Sequence, residues 1–240
     1  MRVIGFSTGA IAKADYGKAL ADLRRHNVRA VELSALRYSE LYPLVQALPR
    51  MELAHFEVVT FHAPSHFDSD QERSVVEMLQ KVVDLKIPIV IHPDAIRSLE
   101  CWTPLRDWLL IENMDKRKPV GRTADELNEF FRKLPEARLC FDVGHARQVD
   151  PTMAEARRIL ERFGERLAEV HLSEVNSSSK HDPLSAYAIE AFQSVASLIP
   201  EHVPAILETL IDRGQSDIPT ELTRARQALQ SKIVPVLASI

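Results

Sequence analysis

Two hydrophobic rhythms alternate along the chain. Short runs dense in Val, Ile, Leu and Phe recur from end to end: RVIGFS (2–7), AVELSA (30–35), VVTFHAPS (58–65), PIVIHPDA (88–95), WLLIENMD (108–115), RLCFDVGHA (138–146), AEVHLSEV (168–175) and PAILETLID (204–212). Such runs fit strands of a parallel sheet with both faces covered. Between them, YGKALADLRR (16–25), ERSVVEMLQKVV (72–83), TADELNEFFRKL (123–134), MAEARRILERFGERL (153–167), IEAFQSVASLI (189–199) and ELTRARQALQSKI (221–233) place apolar residues at helical spacing with charges opposite. The strand ends lie roughly 20–40 residues apart, the length of a βα unit and too long for hairpins. Parallel strands joined by crossover helices are therefore predicted. Thr123 and Glu126 have the spacing of a capping box at the start of one helix. The segment RSLECWTPLRD (97–107) is short and contains a proline, so the pattern supports a helix least there.

Eight strands alternating with helices over 240 residues predict an α/β fold, a single (β/α)₈ TIM barrel spanning 1–240. A doubly wound open sheet is the alternative, but GFSTGA after the first strand lacks its GxGxxG phosphate turn. Composition changes this picture little. A hydrophobic share of 45% suffices for one large core, and a net charge of −4 lacks the basic excess that usually accompanies nucleic-acid binding. The two cysteines, Cys101 and Cys140, have no metal-ligand spacing. No apolar run is long enough to span a membrane, so a cytoplasmic protein without a membrane partner is expected.

Polar residues stand where the apolar runs end. Glu32 in VELS, His62 in FHAP, His92 in IHPD, Glu112 in IENM, Asp142 and His145 in FDVGH, His171 in VHLS and Glu208 in LET recur in seven of the eight runs. A lone histidine at such a place is more often a satisfied buried group; the repetition is what points to a site. In a barrel these ends converge on the face where active sites are built. Carboxylates gathered there repel one another unless a cation offsets their charge. Mixed His, Asp and Glu without cysteine suits Zn²⁺, Mn²⁺, Fe²⁺ or Co²⁺, with Mg²⁺ also admissible. Gly144 is expected to permit a turn that brings His145 over the same pocket, and Cys140 to face the barrel core. Around the pocket, Lys116, Arg117, Arg122 and Lys180 are candidates for binding a substrate anion.

HAPSH (62–66), IHPD (91–94), IENMD (111–115), CFDVGH (140–145), EVHLSE (169–174), KHDPL (180–184) and ILET (206–209), in that order, resemble the xylose isomerase-like TIM-barrel superfamily. That superfamily holds sugar and sugar-phosphate isomerases and epimerases together with the endonuclease IV type of apurinic-site nuclease, AP endonuclease family 2. The resemblance implies a divalent metal on Glu112, Asp142, His171 and Glu208. Its nuclease branch implies additional metal or substrate contacts from His62, His92, His145 and His181. That branch also places an aspartate two residues before the last histidine, where this chain has Ser179. Related epimerases carry a second glutamate at the place of Lys118 and an arginine at that of Ser177.

Two mechanisms follow from the resemblance. In an isomerase or epimerase of a sugar or sugar phosphate, Glu112 and Glu208 would bind the metal and move a proton at carbon, while His145 binds substrate oxygen. In a phosphoester hydrolase, two or three metals bridged by Glu112 would activate water. Size, charge and the unbroken quartet tilt the sequence reading toward the isomerase, acting on a small anionic or polyol substrate; nucleic acid is less favoured. A barrel that binds metal or ligand without turnover is the third alternative.

Overall fold

The computed structural model describes residues 2–211, 214 and 216–231. Its strands in chain order are β1 (Ile4–Ser7), β2 (Ala30–Ser34), β3 (Val58–His62), β4 (Ile89–Ile91), β5 (Leu109–Glu112), β6 (Arg138–Asp142), β7 (Leu167–Leu172), β8 (Glu174–Val175), β9 (His181–Asp182) and β10 (Ala205–Leu207). Eight of them close on themselves in the order β1-β10-β7-β6-β5-β4-β3-β2, each neighbouring pair parallel. The remaining two, β8 and β9, form an antiparallel hairpin between β7 and β10. The fold is the (β/α)₈ barrel expected from the alternation, and each apolar run supplies one barrel strand.

Helices Tyr16–Arg25, Tyr38–Ala47, Glu72–Asp84, Ala124–Lys133, Ala154–Phe163, Ala186–Gln193 and Ile218–Ala228 follow successive strands. The hydrophobic pattern does not announce Tyr38–Ala47, because Pro43 sits inside it and removes one backbone donor. Expected as one helix, 189–199 is instead Ala186–Gln193 followed by a single 3₁₀ turn, Ala196–Leu198. There the Ser194 hydroxyl donates to Ala191 O at 2.6 Å, competing with the helical bonds. The last helix starts early, at Ile218, where Asp217 accepts from Thr220 N at 2.8 Å; Lys232 and Ile233 of the predicted segment, and Asp212 of the eighth run, lie outside the described residues. The capping box at Thr123 is half formed. Its hydroxyl accepts from Glu126 N at 3.2 Å, but Glu126 turns to the backbone and guanidinium of Arg122.

The proline-bearing segment after β4 makes only one short helix, Leu99–Trp102, and a 3₁₀ stretch, Thr103–Trp108. A buried carboxylate gathers it. Glu72 Oε1 accepts from Arg97 N at 2.8 Å, Ser98 N at 3.2 Å and the Trp102 indole at 2.8 Å. Trp102 is thereby seated in the core with its one donor satisfied.

Side chains alternate along each strand between the helical shell and the barrel interior. Phe61, Ile89, Ile111, Leu139 and Phe141 face outward into the main core. The interior holds a small apolar cluster of Val90, Leu110 and Cys140, with Ala168 packed on it, so Cys140 faces inward as expected. Most such barrels fill this space with layers of branched aliphatic residues. Here Glu32, Thr60, His62, Glu112, Asp142, Glu169 and His171 occupy it, all buried. Among the described residues, no helix is long and apolar enough to cross a membrane.

Candidate metal centre

Strand ends meet at one carboxylate. Glu112 closes β5 and is 1% exposed. Its Oε2 lies 3.1 Å from His92 Nε2 and 3.4 Å from His62 Nε2; its Oε1 lies 3.2 Å from His145 Nδ1 and 3.5 Å from His171 Nδ1. Asp142 closes β6 in register with His171 on β7. Glu208 follows β10, its Oε2 3.7 Å from His171 Nδ1 and 3.4 Å from His181 Nδ1. Three groups of donor atoms within 4.8 Å hold the expected ligands, namely His62, His92 and Glu112; Glu112, Asp142, His171 and Glu208; and Asp142, His145 and His181, while a fourth, Cys140, Glu169 and His171, lies beneath them. Every residue expected as a metal ligand or additional contact is therefore in one of three adjoining clusters.

Local structure fixes these groups. The Asn113 side chain grips the backbone of Asp142 from both sides, donating to its carbonyl and accepting from its N–H, each at 2.8 Å. Asp142 then caps the helix Val143–Val149, its Oδ1 accepting from His145 N at 2.6 Å. Gly144 is needed for close approach rather than for a turn: a Cβ there would lie 2.4 Å from Ser173 O. His145 Nδ1 donates to Asn113 O at 3.0 Å, and His62 Nδ1 to Ala63 O at 2.8 Å. Both hydrogen bonds select the tautomer whose Nε2 carries the lone pair. His171 is backed from inside the barrel, its Nε2 3.2 Å from both Glu32 and Glu169, and Thr60 donates to Glu169 at 3.3 Å.

Glu112 Oε1 and Oε2, Asp142 Oδ2, Glu208 Oε2, His171 Nδ1 and His92 Nδ1 are buried and accept or donate no hydrogen bond. Among the described residues, the ion-pair partners of these three carboxylates are histidines alone. Orphaned buried carboxylates are costly, and oxygen and imidazole donors so arranged fit divalent cations. Proton affinities carry the same imprint. Burial, opposed by His145 and reinforced by Glu208 and Glu112, raises Asp142 to about 7. Burial disfavours charge on His62 and His145, but nearby carboxylates outweigh it: Glu32 and Glu112 raise His62 to about 9, and Asp142 and Glu112 raise His145 to about 10. For Glu112, burial is overcome by His92 and His171, which hold it well below the usual carboxylate range. Protons thus occupy the donors a cation would take, so loading competes with protonation.

The clusters floor a cavity of about 520 Å³, whose walls include Ser7, His66, Asp94, Asp115, Arg117, Lys118 and Ser179. Of the four anion-binding candidates, only Arg117 lines it. Arg122 is committed to Glu126 at 2.6 Å, and the exposed Lys116 and Lys180 lie outside the lining. Lys118 does line the cavity, its Nζ 2.8 Å from Asp94. Sequence reasoning missed Asn113, Asp115 and Glu169. Glu169 was within reach of the period-2 rule, being two residues before His171 on the same strand.

No protein-family model and no curated protein matches the chain. Solved structures do. Endonuclease IV from Thermus thermophilus is similar at 18% identity and a TM-score of 0.63, covering 94% of this chain and 97% of that one. The apo form of 3-keto-D-glucoside 4-epimerase from E. coli is similar at 13% identity and a TM-score of 0.53, covering 95% and 98%. A candidate sugar phosphate isomerase/epimerase from Anabaena variabilis is similar at 15% and 0.55, covering 100% and 92%. Likeness at these identities establishes the fold, a closed (β/α)₈ barrel.

Proposed function

We propose that the protein is a phosphoester hydrolase working with two or more divalent cations on a small phosphoester. The observation that carries this reading is the continuity of the donor groups, in which Glu112 and Asp142 each belong to two. A single ion takes four to six donors, which would leave histidines of the flanking groups without a role. Bound divalent cations would supply Lewis acidity toward a phosphoryl oxygen and acidify water.

The chain's own residues do the rest. Glu112, ionised throughout the neutral range, presents one oxygen to each side of the site. His62 and His145 are held in the donor tautomer by backbone carbonyls. Arg117 on the cavity wall meets the phosphoryl charge, and the cavity suits a small ester better than a duplex.

Purified without chelator, the protein is expected to carry two or more ions per chain and to release p-nitrophenolate from phosphate mono- or diesters in a metal-dependent way. One ion, with solvent deuterium entering a sugar, would replace this reading by the isomerase. Bound metal with neither activity would leave a binding barrel.

A further inference from the structure

The three donor groups are unequal in charge. The central one has three carboxylates, whereas the corner formed by Asp142, His145 and His181 has only Asp142, which it shares. A cation there would be held by two neutral imidazoles and half a claim on one charge. Residue 179, two before His181, could have brought a carboxylate to the corner, but it is a serine.

That serine is not idle. It sits in the left-handed region, φ 53°, at the turn between β8 and β9, where Ser179 N donates to Asn176 O at 2.9 Å and Asn176 N to Lys180 O at 3.0 Å. Its hydroxyl accepts from Gln148 Nε2 at 3.2 Å, which leaves its own proton to donate to Asp115 Oδ1 at 2.6 Å. Asp115 is 4% exposed and lines the same cavity as His145, Ser179 and His181. Arg117 N also donates to its Oδ1, at 2.8 Å, and the Arg117 guanidinium reaches Ser178 O at 2.6 Å. The loop after β5 is thereby stitched to the hairpin beside the corner. At the corner itself, Asp142 Oδ2 is buried and accepts no hydrogen bond, with His145 Nδ1 3.5 Å away.

We propose that Asp115, positioned through Ser179, supplies the negative charge that retains a third divalent cation at the Asp142–His145–His181 corner. The inference rests on the multi-cation reading above and extends it: a carboxylate for the corner is delivered from the loop after β5. Asp115 acts from outside the ligand atoms, so it is a positioning residue rather than a catalytic one. Its effect is on how tightly the third ion is held and only through that on turnover.

The test is metal content after loading with Zn²⁺ and gel filtration, with the third affinity measured by chelator competition. The parent protein is expected to hold three ions. Asp115→Asn still accepts from Ser179 and should keep the parent's thermal midpoint in chelator. Its third ion should bind about 10–100-fold more weakly, so that two are retained. Adding Ser179→Asp to Asp115→Asn should restore three, and His145→Ala should lose the same ion. An Asp115→Asn protein that keeps three ions at parental affinity overturns the proposal, as does a parent that holds two. In that last case two ions with phosphoester hydrolysis leave the proposed function standing, so the two failures are distinct.

Discussion

His62 and His92 flank Glu112 on one side, and His145 and His181 on the other, yet the chain holds the two pairs differently. The first pair comes from β3 and the end of β4, adjacent strands in register, with rings edge to face at 5.0 Å. The second comes from a helix start and a hairpin outside the barrel, with ring centroids 5.6 Å apart. The barrel ladder, with the Ala63 carbonyl on His62 Nδ1, sets the first. Loop hydrogen bonds set the second: Asn113 O to His145, Ser173 Oγ to His181 Nδ1 at 2.8 Å, and the Asp115–Ser179 link. A ligand pair on rigid strands is held more exactly in place than one on loops, so the two sides should differ in affinity and in ease of loss.

The comparison breaks most completely at the group both sides share. Glu112→Gln is expected to lower metal-dependent hydrolysis on the order of 10³-fold and to deplete ions from both sides, read by turnover and metal content. Next come the pairs themselves. His62→Ala and His145→Ala should each cost about 10²-fold in turnover and one ion, but different ions: a His62→Ala/His145→Ala double variant that loses no more metal than either single one would erase the distinction. Ser173→Ala sharpens it. Only His181 loses a partner, so one ion should bind about 10-fold more weakly while the affinity on the His62 side stays unchanged, as titration calorimetry would show.

The smallest effect is in pH. His62 and His145, raised from 6.5 to about 9 and about 10, bind protons more tightly folded than unfolded. Their stabilisation is full below pH 6.5 and is lost as pH rises through those values. Asp142, raised from 3.8 to about 7, adds a loss of the same sign at lower pH. The thermal midpoint of the metal-free protein should therefore fall by several degrees between about pH 6.5 and 10, and saturating Zn²⁺ or Mn²⁺ should flatten the curve. A metal-free profile that is already flat would refute it.

Much of this was legible in the sequence because it rests on periodicity. Strands buried on both faces show as apolar runs, and a polar residue ending such a run has few explanations, so the strand-end donors stood out. What escaped depends on partners distant in sequence. Arg122 resembles an anion-binding group until Glu126, one turn on, takes it. Asp115 reads as one more loop acid until Ser179, 64 residues away, is placed against it. Gly144 suggested a turn, whereas its reason is the Ser173 carbonyl pressed against its Cα. The helix Tyr38–Ala47 escaped because Pro43 masks a pattern that tertiary packing of Leu41, Leu44 and Val45 sustains.

The barrel interior has one more consequence. With buried acids and imidazoles standing above a small apolar cluster of Val90, Leu110 and Cys140, the centre of this fold is incomplete as a hydrophobic object. On the proposed reading the ions are part of what fills it, so ligand binding and folding draw on the same free energy. In a metal-starved cell the chain would open more often and be cleared by proteases before it could act. Its abundance would then follow the metal supply without any regulator of its synthesis.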